Sequence, residues 1–165
     1  MRVLGESAAS PGRIYFTGGV SALLMQWRAT TVDIDIKMVP DQDSLFRALP
    51  SLKESLEMNI ELAAPDQFIP ALDGWQDRSI FIVQEGRLSF HHYDFYSQAL
   101  AKIERGHDRD LGDVNAMLDL GLVERAKCIE YFDRIEPELY QFPAIDPPSF
   151  RQAVERVMQS DSRES

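Results

Sequence analysis

Residues 31–39 read Thr-Val-Asp-Ile-Asp-Ile-Lys-Met-Val, with polar and apolar side chains in alternation. A period of two fits a β-strand and no helix, so this stretch needs a sheet with one covered and one open face. Asp33 and Asp35 share a face, their Cα atoms about 7 Å apart. Two parallel carboxylates repel unless something cationic sits between them. A divalent metal is the usual answer, and Mg²⁺ takes a few carboxylates together with phosphate oxygens. Taken alone, Asp-x-Asp on an alternating strand is simply a solvated face.

The rest of the chain limits what can surround this strand. At 165 residues one domain is the default, and 44% apolar content is that of a globular chain. No apolar run approaches the ~20 residues that span a bilayer. The opening Met1-Arg2-Val3-Leu4-Gly5-Glu6 has no charged-then-apolar signal pattern. A single cysteine, Cys128, excludes an intramolecular disulfide framework and a multi-cysteine zinc site, and it fits a reducing, cytoplasmic setting. The formal charge of −10 argues against a broad electrostatic grip on nucleic acid and shows no DNA-binding surface.

Two textures follow one another. Strands are expected over 13–17, 31–39 and 59–63, with a hairpin of 79–83 and 88–92 around Glu85-Gly86. Helices are expected over 20–27, over a stretch after an Asp41 or Asp43 cap that carries Leu45, Phe46, Leu49, Leu52 and Leu56, and over 66–72 after Pro65. The second half reads as helices over 95–105, 111–120, 122–135 and 149–158, punctuated by Gly106, Gly121 and Asp146-Pro147-Pro148. Residues 7–12 and 160–165 look loose. The expected fold is α/β (α+β): an α/β core over 1–93 with a small mixed sheet and flanking helices, a helical subdomain packed on it over 94–159, and a flexible tail over 160–165.

Chemistry gathers at Gly18-Gly19, a turn between a strand and a helix, followed after 13 residues by Asp33. Glycines there let a backbone approach a ligand closely, and a helix N-terminus favours an anion. Facing a carboxylate strand, such a turn suits metal-assisted phosphoryl or nucleotidyl transfer.

Gly-Gly, a helix, and then hydrophobic-Asp-hydrophobic-Asp-hydrophobic resembles the nucleotidyltransferase superfamily with the DNA polymerase beta-like fold. The segment Arg28-x-Thr30-x-x-Asp33-x-Asp35 is similar to a minimal bacterial branch near the AbiEii-type toxin nucleotidyltransferases. So are Lys102, Arg105 and the run Arg109-Asp110-Leu111-Gly112-Asp113-Val114. The resemblance spans residues 14–118. It implies two Mg²⁺ ions on Asp33 and Asp35, an NTP whose triphosphate is held at Gly18 and Gly19, and an RNA or protein acceptor, with an antitoxin as candidate partner. A third carboxylate is expected from a neighbouring strand. Glu61 is the best match, and Asp66 is the alternative, although capping explains an acid at a helix start. Lys102 and Arg105 would meet a nucleotide phosphate. Arg28 would reach a phosphate or orient Asp33, and Thr30 would donate to a strand carboxylate or merely fit a β position.

Other conspicuous residues read as structural. Asp110 or Asp113 would pair internally with Arg28 or Arg109. His91 and His92 point to opposite faces of one strand and cannot chelate together. Cys128, Trp27 and Trp75 look like packing residues. The expected activity is transfer of a nucleotidyl group from Mg²⁺-bound NTP to an RNA, protein or small-molecule hydroxyl. The alternative is a non-catalytic nucleotide-binding or antitoxin-like module on the same fold.

Overall fold

In the computed structural model, which describes residues 1–160, the alternating segment is the strand β2 (Asp33–Val39) of a five-stranded mixed sheet. Its companions are β1 (Gly12–Thr17), β3 (Asn59–Leu62), β4 (Ile80–Glu85) and β5 (Leu88–His92), in the order β3-β2-β1-β5-β4. β2 runs antiparallel to β1 and parallel to β3; β5 runs parallel to β1 and antiparallel to β4. Helices α1 (Arg2–Ser7) and α3 (Asp43–Leu56) pack on each other and bring Leu4, Leu45, Leu49 and Leu52 into one core with Ile14, Phe16, Ile36, Met38, Ile60 and Phe90 from the strands. The helix α2 (Gly18–Leu24) connects β1 to β2, and the short α4 (Trp75–Arg78) precedes β4. The α/β class with a small mixed sheet and flanking helices is what the alternation and the turn signals lead one to expect.

The chain divides into two compact units, Met1–Ala64 with Gln76–Tyr93, and Pro65–Trp75 with the residues from Asp94 on. The second unit is helical: α5 (Phe95–Arg105), α6 (Asp108–Asp119), α7 (Arg125–Ile135) and α8 (Pro147–Gln159), with short 3₁₀ segments at Pro65–Gln67 and Glu136–Gln141. Helix α5 packs on α6, α7 and α8 around buried Ala99, Leu100, Ile103, Met117, Phe132, Phe150 and Val154. Asp94 caps α5 by accepting from the Tyr96 and Ser97 amides, and Asp146 caps α8 by accepting from that of Ser149. Burial among these apolar side chains pushes the Cys128 thiol up to about 12, so it is inert packing at neutral pH.

Several elements differ from the sequence expectation, each for a local reason. Helix α2 starts at Gly18 and ends at Leu24, because Gln26 takes φ 70° and the Trp27 and Arg28 amides both close onto the Ala22 carbonyl. Gln42, not Asp41 or Asp43, takes the N-cap position of α3, and its side chain makes no capping hydrogen bond to the helix. Its side chain accepts from the Ala9 and Ser10 amides and donates to the Ser10 carbonyl, which pins residues 9–10 that look loose in sequence. The helix expected over 66–72 stops at Gln67, since Pro70 lacks the amide that would extend it. Helix α6 begins three residues early at Asp108, and α7 begins late at Arg125, because the Leu122 and Val123 amides are used on the Met117 carbonyl. The expected tail falls mostly on residues 161–165, outside the described residues.

Helix α1 escapes the periodicity because it is too short to show any. Its place is set by close backbone approach: a Cβ on Gly5 would run into the Glu85 carbonyl at the β4–β5 turn, while Gly86, at φ 58°, lies against Gly5 in return. Backbone cannot swing aside as a side-chain tip can. Gly5→Ala is therefore expected to cost about 1–3 kcal/mol, the usual range for overpacking, read as a lower urea midpoint with unchanged slope. An unchanged midpoint would show that α1 is not held by this contact.

Candidate functional site

Strand register decides which side chains meet. Thr17 of β1 lies beside Asp35 of β2, and Asp35 lies beside Glu61 of β3. One step along, Asp33 lies beside Asn59. Residues two apart on a strand share a face, so Asp33, Asp35, Asn59 and Glu61 all project from the same side of the sheet. That side is opposite the core formed by Ile36, Met38 and Ile60. Asp33 and Glu61 are exposed and Asp35 is half-buried.

The glycine turn comes to the same corner. Gly18 adopts φ 62°, a region that favours glycine, and a Cβ there would sit 2.9 Å from Asp35 Oδ2. A Cβ on Gly19 would collide with the Thr31 hydroxyl and would lie 3.4 Å from Arg28 Nη1. Gly18, Gly19, Arg28 and Asp35 are thus brought together. Thr30 is exposed in the loop before β2. Its neighbour Thr31, which the sequence reading passed over, holds the turn by donating to the Asp33 carbonyl at 3.0 Å and accepting from the Asp33 amide at 3.3 Å.

A buried polar relay fixes α2 behind the turn. The Ser21 hydroxyl donates to the Phe16 carbonyl at 3.1 Å, and its oxygen lies 3.0 Å from His92 Nδ1. A proton on Nδ1 satisfies both contacts at once. Burial pushes His92 down to about 4, so the ring is neutral at pH 7. His91 points the other way and meets Ser89 Oγ at 3.0 Å, as strand alternation requires.

Lys102, Arg105, Asp110 and Asp113 lie in the second unit and form one network. Lys102 Nζ is 2.8 Å from Asp113 Oδ2 and 3.6 Å from Asp110 Oδ1. Arg105 grips Asp110 with two donors, Nε at 2.8 Å and Nη2 at 2.5 Å. Lys102, Asp110 and Asp113 are buried, whereas the Arg105 side chain is 61% exposed. Burial alone would raise the Asp110 carboxyl, but the Arg105 hydrogen bond and the Lys102 and Arg105 charges outweigh it and hold the group below the usual carboxylate range. The cations that sequence reading assigned to a phosphate are the ones that pair with Asp110 and Asp113. Asp66, the alternative third carboxylate, stands in the 3₁₀ turn of this same second unit.

Among the described residues no three Asp, Glu, His or Cys side chains are gathered into a closed metal cluster, and no helix is long and apolar enough to cross a membrane. A family model described as "Nucleotidyltransferase of unknown function (DUF6036)" matches residues 6–134. Comparison with curated proteins and with solved structures finds no match.

Two measurements follow from these networks. An unfolded histidine titrates near 6.5, so on acidification the unfolded chain takes up this proton before the folded one does. Stability should hold above about pH 6.5, decline below it and level off near 4, at no more than about 1.4 kcal/mol per pH unit from His92. Urea midpoints between pH 7.5 and 4 should fall less steeply in His92→Gln; equal slopes would dismiss the relay as the cause. Asp113→Asn removes the nearer of the two negative charges facing buried Lys102, leaving Asp110 at 3.6 Å, and is expected to lose up to about 3 kcal/mol, whereas the paired change Lys102→Met with Asp113→Leu should recover most of it. Equal losses in the two variants would contradict a purely electrostatic origin.

Proposed function

Since the chain belongs to the DUF6036 family of nucleotidyltransferases, we propose that it transfers a nucleotidyl group from a Mg²⁺-bound NTP to a hydroxyl acceptor. The observation that carries this reading is the approach of Gly18 to Asp35, which puts a glycine turn and a carboxylate strand in one corner of the first unit. Asp33 and Asp35 supply hard oxygen donors from one face, which suits Mg²⁺, an ion that commonly takes one or two carboxylates and completes its shell with phosphate and water. They would hold the metal, with Glu61 alongside, and the bound ion would supply positive charge to the phosphate oxygens.

The chain's own groups cover the remaining work. Gly18 and Gly19 carry no side chains of their own, and their backbone would meet the triphosphate beside Asp35, Thr31 and Arg28. Arg28, beside Gly19, offers a planar cation to a phosphate. Thr30, exposed in the loop before β2, would be a further nucleotide contact. In the reaction the acceptor oxygen bonds to the α-phosphorus as the bond to the β-phosphate oxygen breaks and pyrophosphate leaves. Glu61 is the proposed base that receives the acceptor proton. The likeness of residues 28–35 to the toxin branch favours an RNA end or a protein hydroxyl as acceptor and an antitoxin as partner.

One observation favours a non-catalytic relative instead: no three acidic side chains stand ready as a metal cluster among the described residues. Transfer assays separate the two. The protein is incubated with Mg²⁺ and each labelled NTP, with total RNA or the protein itself as acceptor. Label transfer should appear with metal and fall at least 100-fold in Asp33→Ala and in Asp35→Ala, the scale expected for loss of a group that acts on the reacting phosphate. Nucleotide binding without transfer to any acceptor would support the module and defeat the enzyme.

A further inference from the structure

Asn59 opens β3 directly beside Asp33 and two residues before Glu61. Its amide is hydrogen-bonded to both carboxylates, Nδ2 lying 3.3 Å from Asp33 Oδ1 and 2.8 Å from Glu61 Oε1. Ionised carboxylates only accept, so the NH₂ end must be the one that faces them, one hydrogen to each. The Asn59 backbone amide also donates to the Val32 carbonyl at 2.8 Å, which locks the start of β3 to the entry of β2. A neutral side chain is thus clamped between two anions on an exposed face, where a surface asparagine could as well have pointed to water.

We propose that Asn59 is a positioning residue of the carboxylate face, holding the side chains of Asp33 and Glu61 on the side of the sheet they share with Asp35. The inference rests on the metal-binding reading above and assigns Asn59 no contact with substrate. Its amide draws Asp33 and Glu61 toward one donor without adding charge, and each carboxylate keeps lone pairs for a cation. Outer hydrogen bonds of this kind typically change metal affinity 10–100-fold when removed.

Binding of Mn²⁺ alone to the full chain, followed by the electron paramagnetic resonance of the free ion, gives a readout apart from activity. Wild type should bind, Asp35→Ala should lose binding, and Asn59→Ala should bind about 10-fold more weakly while its melting temperature without metal stays near that of wild type. Asn59→Asp has the same shape but lacks both donors and adds a negative charge. It should melt lower than wild type in EDTA, because Asp33 and Glu61 then face a third carboxylate with no donor between them; a melting temperature equal to that of wild type would overturn the bridging role. If Asn59→Ala binds Mn²⁺ as wild type does while Asp35→Ala does not, the positioning role is overturned and the metal site stands. If wild type binds no Mn²⁺, the metal-binding reading falls and this inference falls with it.

Discussion

Everything at the carboxylate corner depends on the register of β2 between two neighbours of opposite sense. Ile36 and Met38 enter the core with Ile14 and Ile60, and this burial selects one pairing. A slip of one residue would turn the isoleucines to water and drive Asp33 and Asp35 into the apolar layer, which no local rearrangement could repair. With the register set, Thr17, Asp35 and Glu61 fall in one row across three strands, and Asp33 and Asn59 fall in the next. The acidic face is thus specified by the apolar one. Helices α1 and α3 act on the site only through the sheet they cover, and α2 acts directly, since its first residue is Gly18.

An acidic chain must also keep its carboxylates from repelling one another, and the two units do so differently. In the first, a neutral amide bridges Asp33 and Glu61 on an exposed face, so the pair keeps its full negative charge. In the second, Asp110 and Asp113 are buried and opposed by Lys102 and Arg105, two charges of each sign within one network. Removing ions from water costs several kcal/mol each, and the close geometry offsets that only when every partner is present. The first arrangement leaves charge available to a ligand. The second uses it internally, as the lowered Asp110 carboxyl records.

Much of this was legible in the sequence where periodicity or punctuation speaks. The alternation at 31–39, the hairpin at Glu85-Gly86, the end of α5 at Gly106 and the Asp146 cap follow from rules that act within a few residues. The Gly18-Gly19 turn and the Asp33/Asp35 face were legible for the same reason. Contacts between distant residues were not. Nothing local marks Asn59 as the partner of Asp33, because their meeting is a register fact 26 residues removed. Thr31 was hidden behind Thr30, since only the fold tells which hydroxyl meets Gly19. Lys102 and Arg105 were visible as a charged face, yet the Asp residues that engage them lie on the next helix, whose early start at Asp108 the sequence pattern did not show. Gln42 reads as an ordinary polar residue until the loop it fastens is seen.

The same distribution of charge bears on how an anionic substrate would be met in the proposed reaction. A net charge of −10 weighs against a long polyanion lying on a broad basic surface. The second unit does little to change that, because the charges of Lys102 and Arg105 are matched by those of Asp110 and Asp113. In the first unit the cation beside the glycine turn is Arg28, next to Gly19, on the flank of a face that carries three carboxylates. A triphosphate approaching there would meet backbone at Gly18 and Gly19, the Arg28 guanidinium, and whatever positive charge Asp33 and Asp35 would recruit. Recognition built this way is short in range and confined to a few phosphates. A nucleotide, or the end of a chain, would satisfy it, and the interior of a long nucleic acid would not.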